Sequence, residues 1–111
     1  MLRRFNRLKK KKEFSFVYRR GKSYHSKYLS LYVSSTRLKN LKIGFSISNK
    51  VGNSVVRHKL KRRLSEILLK EVSNLSLNNY VFVAKVGCET LDFEKLKVQT
   101  MNLLEKIKNE K

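Results

Sequence analysis

The stretch that decides the fold is Lys42-Ile-Gly-Phe-Ser-Ile-Ser-Asn-Lys-Val-Gly-Asn-Ser-Val-Val-Arg-His-Lys-Leu-Lys-Arg-Arg-Leu64. Its hydrophobic period changes halfway. From Lys42 to Ser48, Ile43, Phe45 and Ile47 alternate with Gly44, Ser46 and Ser48. That pattern predicts a half-buried strand whose second face carries only small residues. Asn49 to Asn53, with Gly52, reads as a connection, and Asn53 or Ser54 is suited to cap a helix. Beyond it Val56, Leu60, Leu64, Ile67 and Leu68 recur at helical spacing, predicting a helix from Asn53 to about Val72. On that helix Arg57, His58, Lys61, Arg62 and Ser65 cluster on one side, away from the apolar stripe. One helix therefore anchors in a core and presents a row of cations.

Upstream, Leu29, Leu31 and Val33 alternate with Tyr28, Ser30, Tyr32 and Ser34, predicting a strand over residues 28–34. Residues 35–41 read as a hairpin loop to the next strand, and a short extra strand is expected near Ser23–Ser26. A helix is expected from Lys11 to Arg19, with Phe14, Val17 and Tyr18 on one face and Gly21 as its stop. Downstream, Asn78 and Asn79 mark a turn and Tyr80–Val86 reads as a central strand. Asp92 is placed to cap a last helix from Phe93 to about Lys108, with Leu96, Leu103, Leu104 and Ile107 inward. The order is α-β-β-α-β-α, with the extra strand making α-β-β-β-α-β-α. This is an α+β sandwich, one domain over residues 1–111, with helices packed on one face of a central sheet and the other face partly open. Residues 1–10 are expected to be a flexible basic N-terminus, continuing into the Lys9–Lys12 run.

Composition narrows the function. The 111 residues carry 27 Lys+Arg against 8 Asp+Glu, a formal net charge of +19. A domain so charged repels itself and calls for a polyanion. Nucleic acid is the first choice and an anionic membrane surface the rival. No helix with an apolar face rich in Trp, Phe or Leu opposes its Lys and Arg, which disfavours the membrane. No run of about 20 apolar residues could span a bilayer, and the basic start lacks the apolar core of a secretory signal. The single cysteine, Cys88, allows no internal disulfide and fits a reducing, cytoplasmic setting; it reads as a small residue at a strand end. The carboxylates are scattered, His25 and His58 have no evident partner spacing, and Gly21, Gly44, Gly52 and Gly87 form no phosphate loop. No catalytic residue is expected on this chain, and His25 reads as a polar residue in a surface turn.

Residues 42–64 resemble the signature of the bacterial ribonuclease P protein family. That signature is a strand ending in Ser-x-Lys-Lys-x-Gly-Asn-Ala-Val, followed by Arg-Asn-x-x-Lys-Arg-x-x-Arg on a helix. Lys50, Gly52, Asn53, Arg57, Lys61 and Arg62 match it, as do Arg7-Leu8-Lys9-Lys10, Phe14, the Tyr18–Gly21 stretch, the strand holding Tyr32 and the Tyr80–Lys85 strand. Two positions depart. His58 stands where the family has Asn, and Ser65 where it has Arg, with Arg63 two positions earlier. Histidine donates, accepts and ligates metals, so His58 could partly replace the amide or hold a metal ion.

The resemblance implies a ribosomal-protein-like fold with a βαβ crossover, and a ribonucleoprotein endonuclease in which the protein assists and a catalytic RNA, with bound Mg²⁺, removes the 5′ leader from precursor tRNA. No obligate protein partner is implied. The RNA-facing set would be Lys50, Asn53, Arg57, His58, Lys61, Arg62 and Arg63. The leader cleft would be Lys10, Phe14, Tyr18, Tyr32, Ser46 and Ser48. Phe14 and Tyr18 would equally serve to pack the first helix on the sheet, whereas Tyr32, opposite the core residues of its strand, favours contact with RNA. The alternative function is a ribosomal or general RNA-binding module without an enzymatic role.

Overall fold

In the computed structural model, which describes residues 6–36 and 40–109, the chain forms α1 (Lys11–Arg20), β1 (Lys22–His25), β2 (Leu29–Ser35), β3 (Lys42–Ile47), α2 (Ser54–Leu69), β4 (Asn78–Ala84) and α3 (Phe93–Asn109). Short 3₁₀ turns at Val72–Asn74 and Cys88–Thr90 flank β4. The expected elements are therefore present, with ends shifted by one to three residues. Helix α2 stops at Leu69, and the chain tightens into the 3₁₀ turn before Val72 is passed. Asn53 caps α2, its Oδ1 accepting from the Val56 N–H at 3.0 Å. Asp92 does the same for α3, accepting from the Lys95 N–H at 2.8 Å.

The strands form one sheet in the order β1-β2-β4-β3. β1 and β2 are antiparallel, as are β2 and β4, and β3 runs parallel to β4. β4 is central, as expected. The hairpin expected between β2 and β3 is not formed: β4 lies between them, and residues 37–39 of that loop fall outside the described residues. Helix α2 is the crossover that carries the chain from β3 to its parallel neighbour, a connection too long for a hairpin turn.

Alternation assigns the faces. Leu29, Leu31, Ile43, Tyr80 and Phe82 point to one side and bury against Leu60, Leu64, Ile67 and Leu68 of α2 and Leu96, Leu103 and Leu104 of α3. The opposite side carries Val81, which with Val17 of α1 and Leu8 makes a second, smaller core. Helices thus pack on one face for α2 and α3 only, and α1 lies across the other. The reason is β4: it is central, so both its faces must be covered, and Val81 sits opposite Tyr80 and Phe82.

Residues 6–8 correct the expectation of a flexible arm. Asn6 is buried and its Nδ2 donates to the Leu41 carbonyl at 2.7 Å. Arg7 bridges Ile43 in parallel, and the Leu8 N–H donates to the Ile43 carbonyl at 3.0 Å. An apolar Leu8 and unpaired groups on the β3 edge give this segment a place to dock.

Candidate nucleic-acid interface

Two surfaces meet at the β3 edge. The first is α2. Leu60, Leu64, Ile67 and Leu68 hold its inner side in the core. At 100° per residue, Arg57, Lys61 and Ser65 then descend one flank, while His58 and Arg62 lie on the outer side. His58, Lys59 and Arg62 line a shallow hollow with Ser54 and the exposed Val55. Arg57 Nε donates to the Gly52 carbonyl at 3.2 Å, which ties the guanidinium to the helix start and leaves its remaining N–H groups to aim outward. Lys50 is exposed in the preceding turn. Asn53 uses Oδ1 on the cap, which leaves its amide N–H₂ as the side chain's donor group.

Arg63 does not join this row. It lies on the opposite flank, where Nη1 donates to the Leu91 carbonyl at 3.4 Å and links α2 to the start of α3. It therefore does not stand in for the arginine that Ser65 replaces, because two residues along a helix is about 200° of rotation. Ser65 is buried, on the same flank as Lys61. Among the described residues the ion pairs are Lys42–Glu13 at 3.4 Å and Lys108–Glu105 at 3.9 Å, neither on α2. The field of the α2 cations is thus not spent on carboxylates.

The second surface is the sheet face under α1. Strand register gives it rows. Tyr32, Val81 and Gly44 lie side by side, as do His25, Ser30, Val83 and Ser46. Helix α1 crosses above the first row. Phe14 covers Gly44 so closely that a Cβ there would meet its ring at 2.6 Å. Val17 packs on Val81. Tyr18 meets Tyr32 edge-on, centroids 4.9 Å apart. The second row runs beside the helix as a trough, with Val83 and Ser46 partly exposed in its floor, Ser30 buried beneath His25, and Tyr32 touching both the helix and His25. Lys10, at the N-terminus of α1, and Ser48, just past β3, are both exposed. Of the six cleft residues expected from sequence, Phe14, Tyr18, Tyr32 and Ser46 share one side of the sheet, with Lys10 at the start of α1 and Ser48 just past the end of β3. Phe14 packs α1 to the sheet; Tyr18 and Tyr32 do so while keeping partly exposed rings.

Sequence reasoning missed His25. It lies in strand β1, not in a turn, on the trough side. Its Nδ1 hydrogen-bonds the Ser30 hydroxyl at 2.8 Å and its ring stands edge-on to Tyr32 at 6.0 Å. The available signal was alternation: Ser23 and His25 flank Tyr24, which faces the main core.

Such a molecule, with a cation-lined helix on one side of a sheet and an aromatic-walled trough on the other, belongs to the class of single-domain RNA-binding proteins. The ribonuclease P family model matches residues 2–108. The ribonuclease P protein component of Clostridium botulinum is 42% identical over 108 residues, covering 91% of this chain and 93% of that one. The component of a Nitratiruptor species is 38% identical over 104 residues, covering 94% of each. Among solved structures, the RNase P protein of Staphylococcus aureus superposes with a TM-score of 0.89 at 23% identity, covering 93% of this chain and 95% of that one. That of Thermotoga maritima does so with a TM-score of 0.81 at 22% identity, covering 90% and 96%. The chain belongs to the ribonuclease P protein component family. It is a subunit of an RNA–protein holoenzyme whose endonuclease activity matures the 5′ ends of tRNA, and RNA is its partner in that particle. The alternative of an RNA-binding module without an enzymatic role gives way to this membership.

Proposed function

We propose that the α2 row (Lys50, Asn53, Arg57, His58, Lys61 and Arg62) faces the catalytic RNA, and that the trough beside α1 takes the single-stranded 5′ leader of precursor tRNA. Arg63 contributes charge from the far flank. The observation that carries this reading is the separation of the surfaces. Cations suited to phosphates lie on α2, whereas Tyr18, Tyr32 and His25 offer ring surfaces beside Val83 and Ser46 on the other side of the sheet. Phosphate contacts fix position without reading sequence, and aromatic faces accept any base. A leader that varies between tRNAs needs the second kind of surface.

Cleavage itself is assigned to the RNA. Among the described residues no three His, Cys, Asp or Glu side chains converge, His58 included. Mg²⁺ is proposed to be held mainly by the RNA subunit and the RNA–substrate complex. What the protein's own groups do is neutralise phosphate charge and hold the leader in line. The free thiol of Cys88 suits a reducing compartment, and the cytoplasm is proposed as the site of action. Reconstitution tests the whole reading. Protein alone should leave precursor tRNA intact, and protein with catalytic RNA should release the leader at low Mg²⁺. Cleavage by protein alone would refute it.

A further inference from the structure

A separate cleft of about 410 Å³ crosses the β3 edge, between the docked N-terminal segment and the Ser65 flank of α2. Its walls are chemically mixed. Phe14 closes one side with its ring rim, over Gly44; Phe45 lies in the floor; Lys9 and Lys61 stand at the mouth, both exposed; Ser65 forms the far wall. Glu13, on α1 beside Phe14, is engaged by Lys42 Nζ at 3.4 Å and by the Lys10 N–H at 3.3 Å. The strand edge adds hydrogen-bonding groups. Outward-facing residues alternate along a strand, so after Ile43, which accepts from Leu8, the next is Phe45. Its backbone N–H and C=O have no backbone partner on that side among the described residues.

A ring rim, a donor–acceptor pair on a strand edge and ammonium groups at the mouth match the parts of one nucleotide. The base would lie against Phe14 with its edge on the Phe45 backbone, and the phosphate between Lys9 and Lys61. A long side chain at position 65 would fill the space that Ser65 leaves. We infer that this cleft receives a single extruded nucleotide of the RNA partner, at a site that shares Lys61 with the α2 cation row and borders the leader side at Phe14. The inference rests on RNA being the partner, not on how leader and catalytic RNA divide the other two surfaces.

The test uses the full chain with adenosine 5′-monophosphate as probe, followed by amide NMR. Saturable shifts should centre on Phe14, Gly44, Phe45 and Ser65. Adenosine and inorganic phosphate should each bind about tenfold more weakly, since each lacks half of the contacts. Ser65→Ala should keep binding within about twofold, and Ser65→Met, which fills the cleft, should weaken it by about tenfold. Lys9→Ser, at an exposed position that does not bear on folding, should weaken it by about threefold. In the holoenzyme, chemical probing should show one RNA nucleotide that is protected with the parent protein and with Ser65→Ala but exposed with Ser65→Met. Shifts that follow the lysines regardless of the base would overturn the inference. So would equal binding by all variants, or free-nucleotide binding with no responding position in the RNA.

Discussion

The rings of Tyr18 and Tyr32 stand at 85° to one another with centroids 4.9 Å apart, and this contact joins α1 to the central part of the sheet. It gives Tyr32 a fixed orientation, with one edge spent on Tyr18 and part of its face left toward the trough. His25, 6.0 Å away at 87°, borders the same face from β1. Edge-to-face pairs are worth about 0.5–1.5 kcal/mol beyond their burial. The pair is therefore both a structural link and a prepared platform.

Tyr32→Ala is expected to weaken precursor tRNA binding by the holoenzyme by about 1–3 kcal/mol, roughly 5- to 150-fold, while mature tRNA binding changes little. Only the precursor has a leader to stack. Competition binding with the two tRNAs measures this, and equal losses would move the leader off this face. A double-mutant cycle with Tyr18→Ala on the free protein, followed by urea unfolding, should give a coupling of about 0.5–1.5 kcal/mol.

Arg57→Ala, Lys61→Ala and Arg62→Ala combined should lower the slope of log K against log salt for binding the RNA subunit by about 2–3. Each lost phosphate contact contributes about 0.9 on duplex and 0.7 on single strands. Filter binding over a salt series reads the slope directly. Arg63→Ala should barely change it; its main cost should fall on stability, because its guanidinium joins α2 to the Leu91 carbonyl. A slope change as large as that of Arg62→Ala would place Arg63 in the RNA row after all.

These residues also show what the sequence made legible. The alternation of Leu29, Leu31 and Val33, and of Ile43, Phe45 and Ile47, assigned their faces correctly because side-chain period is a local property. The α2 stripe did the same. Strand order is non-local: whether β3 pairs with β2 or waits for β4 depends on the crossover through α2, about which neither strand's pattern says anything. The placement of α1 on the second face rests on Val17 packing against Val81 and Leu8, a contact between distant segments that no local period of α1 announces. The family resemblance grouped Arg63 with Arg62, although one residue of helix turns them apart by about 100°. His25 was passed over because a four-residue strand carries too little pattern to separate from a turn.

Cys88 makes stability depend on alkaline pH. The thiol is fully buried, and burial, with a smaller contribution from the Glu89 charge, pushes its pKa from 9.0 up to about 11. The folded state thus holds the proton more tightly than the unfolded one. The stabilisation is complete below pH about 9 and is lost as pH rises toward about 11, at up to about 1.4 kcal/mol per pH unit. Other groups titrate there too, so the observable is the difference between the parent chain and Cys88→Ala. The gap in urea midpoint should be constant up to pH about 9 and shrink above it. Thiol alkylation at neutral pH should be slow until the chain unfolds. A gap independent of pH, or fast alkylation of the folded chain, would contradict this.

Gly44→Ala should separate the two RNA surfaces. A Cβ at Gly44 would meet the Phe14 ring at 2.6 and 2.7 Å and the Leu8 Cβ at 2.9 Å. Those distances cannot be held, so the ring must lift, and α1 with it, because Val17 and Tyr18 lie on the same side of that helix. Overpacking of this kind costs about 1–3 kcal/mol, which urea unfolding should show. The larger core under α2 and α3 contains none of these residues, so the α2 cations should keep their positions. The salt slope of binding to the RNA subunit should then stay near the parent value and its affinity should fall by no more than the loss of the one nucleotide contact at Phe14, while the preference for precursor over mature tRNA falls. Phe14→Leu in the same background should recover part of the stability by making room, without restoring the aromatic surface. If Gly44→Ala lowered RNA-subunit affinity as much as leader discrimination, the two faces would be coupled through the sheet and could not act as separate surfaces.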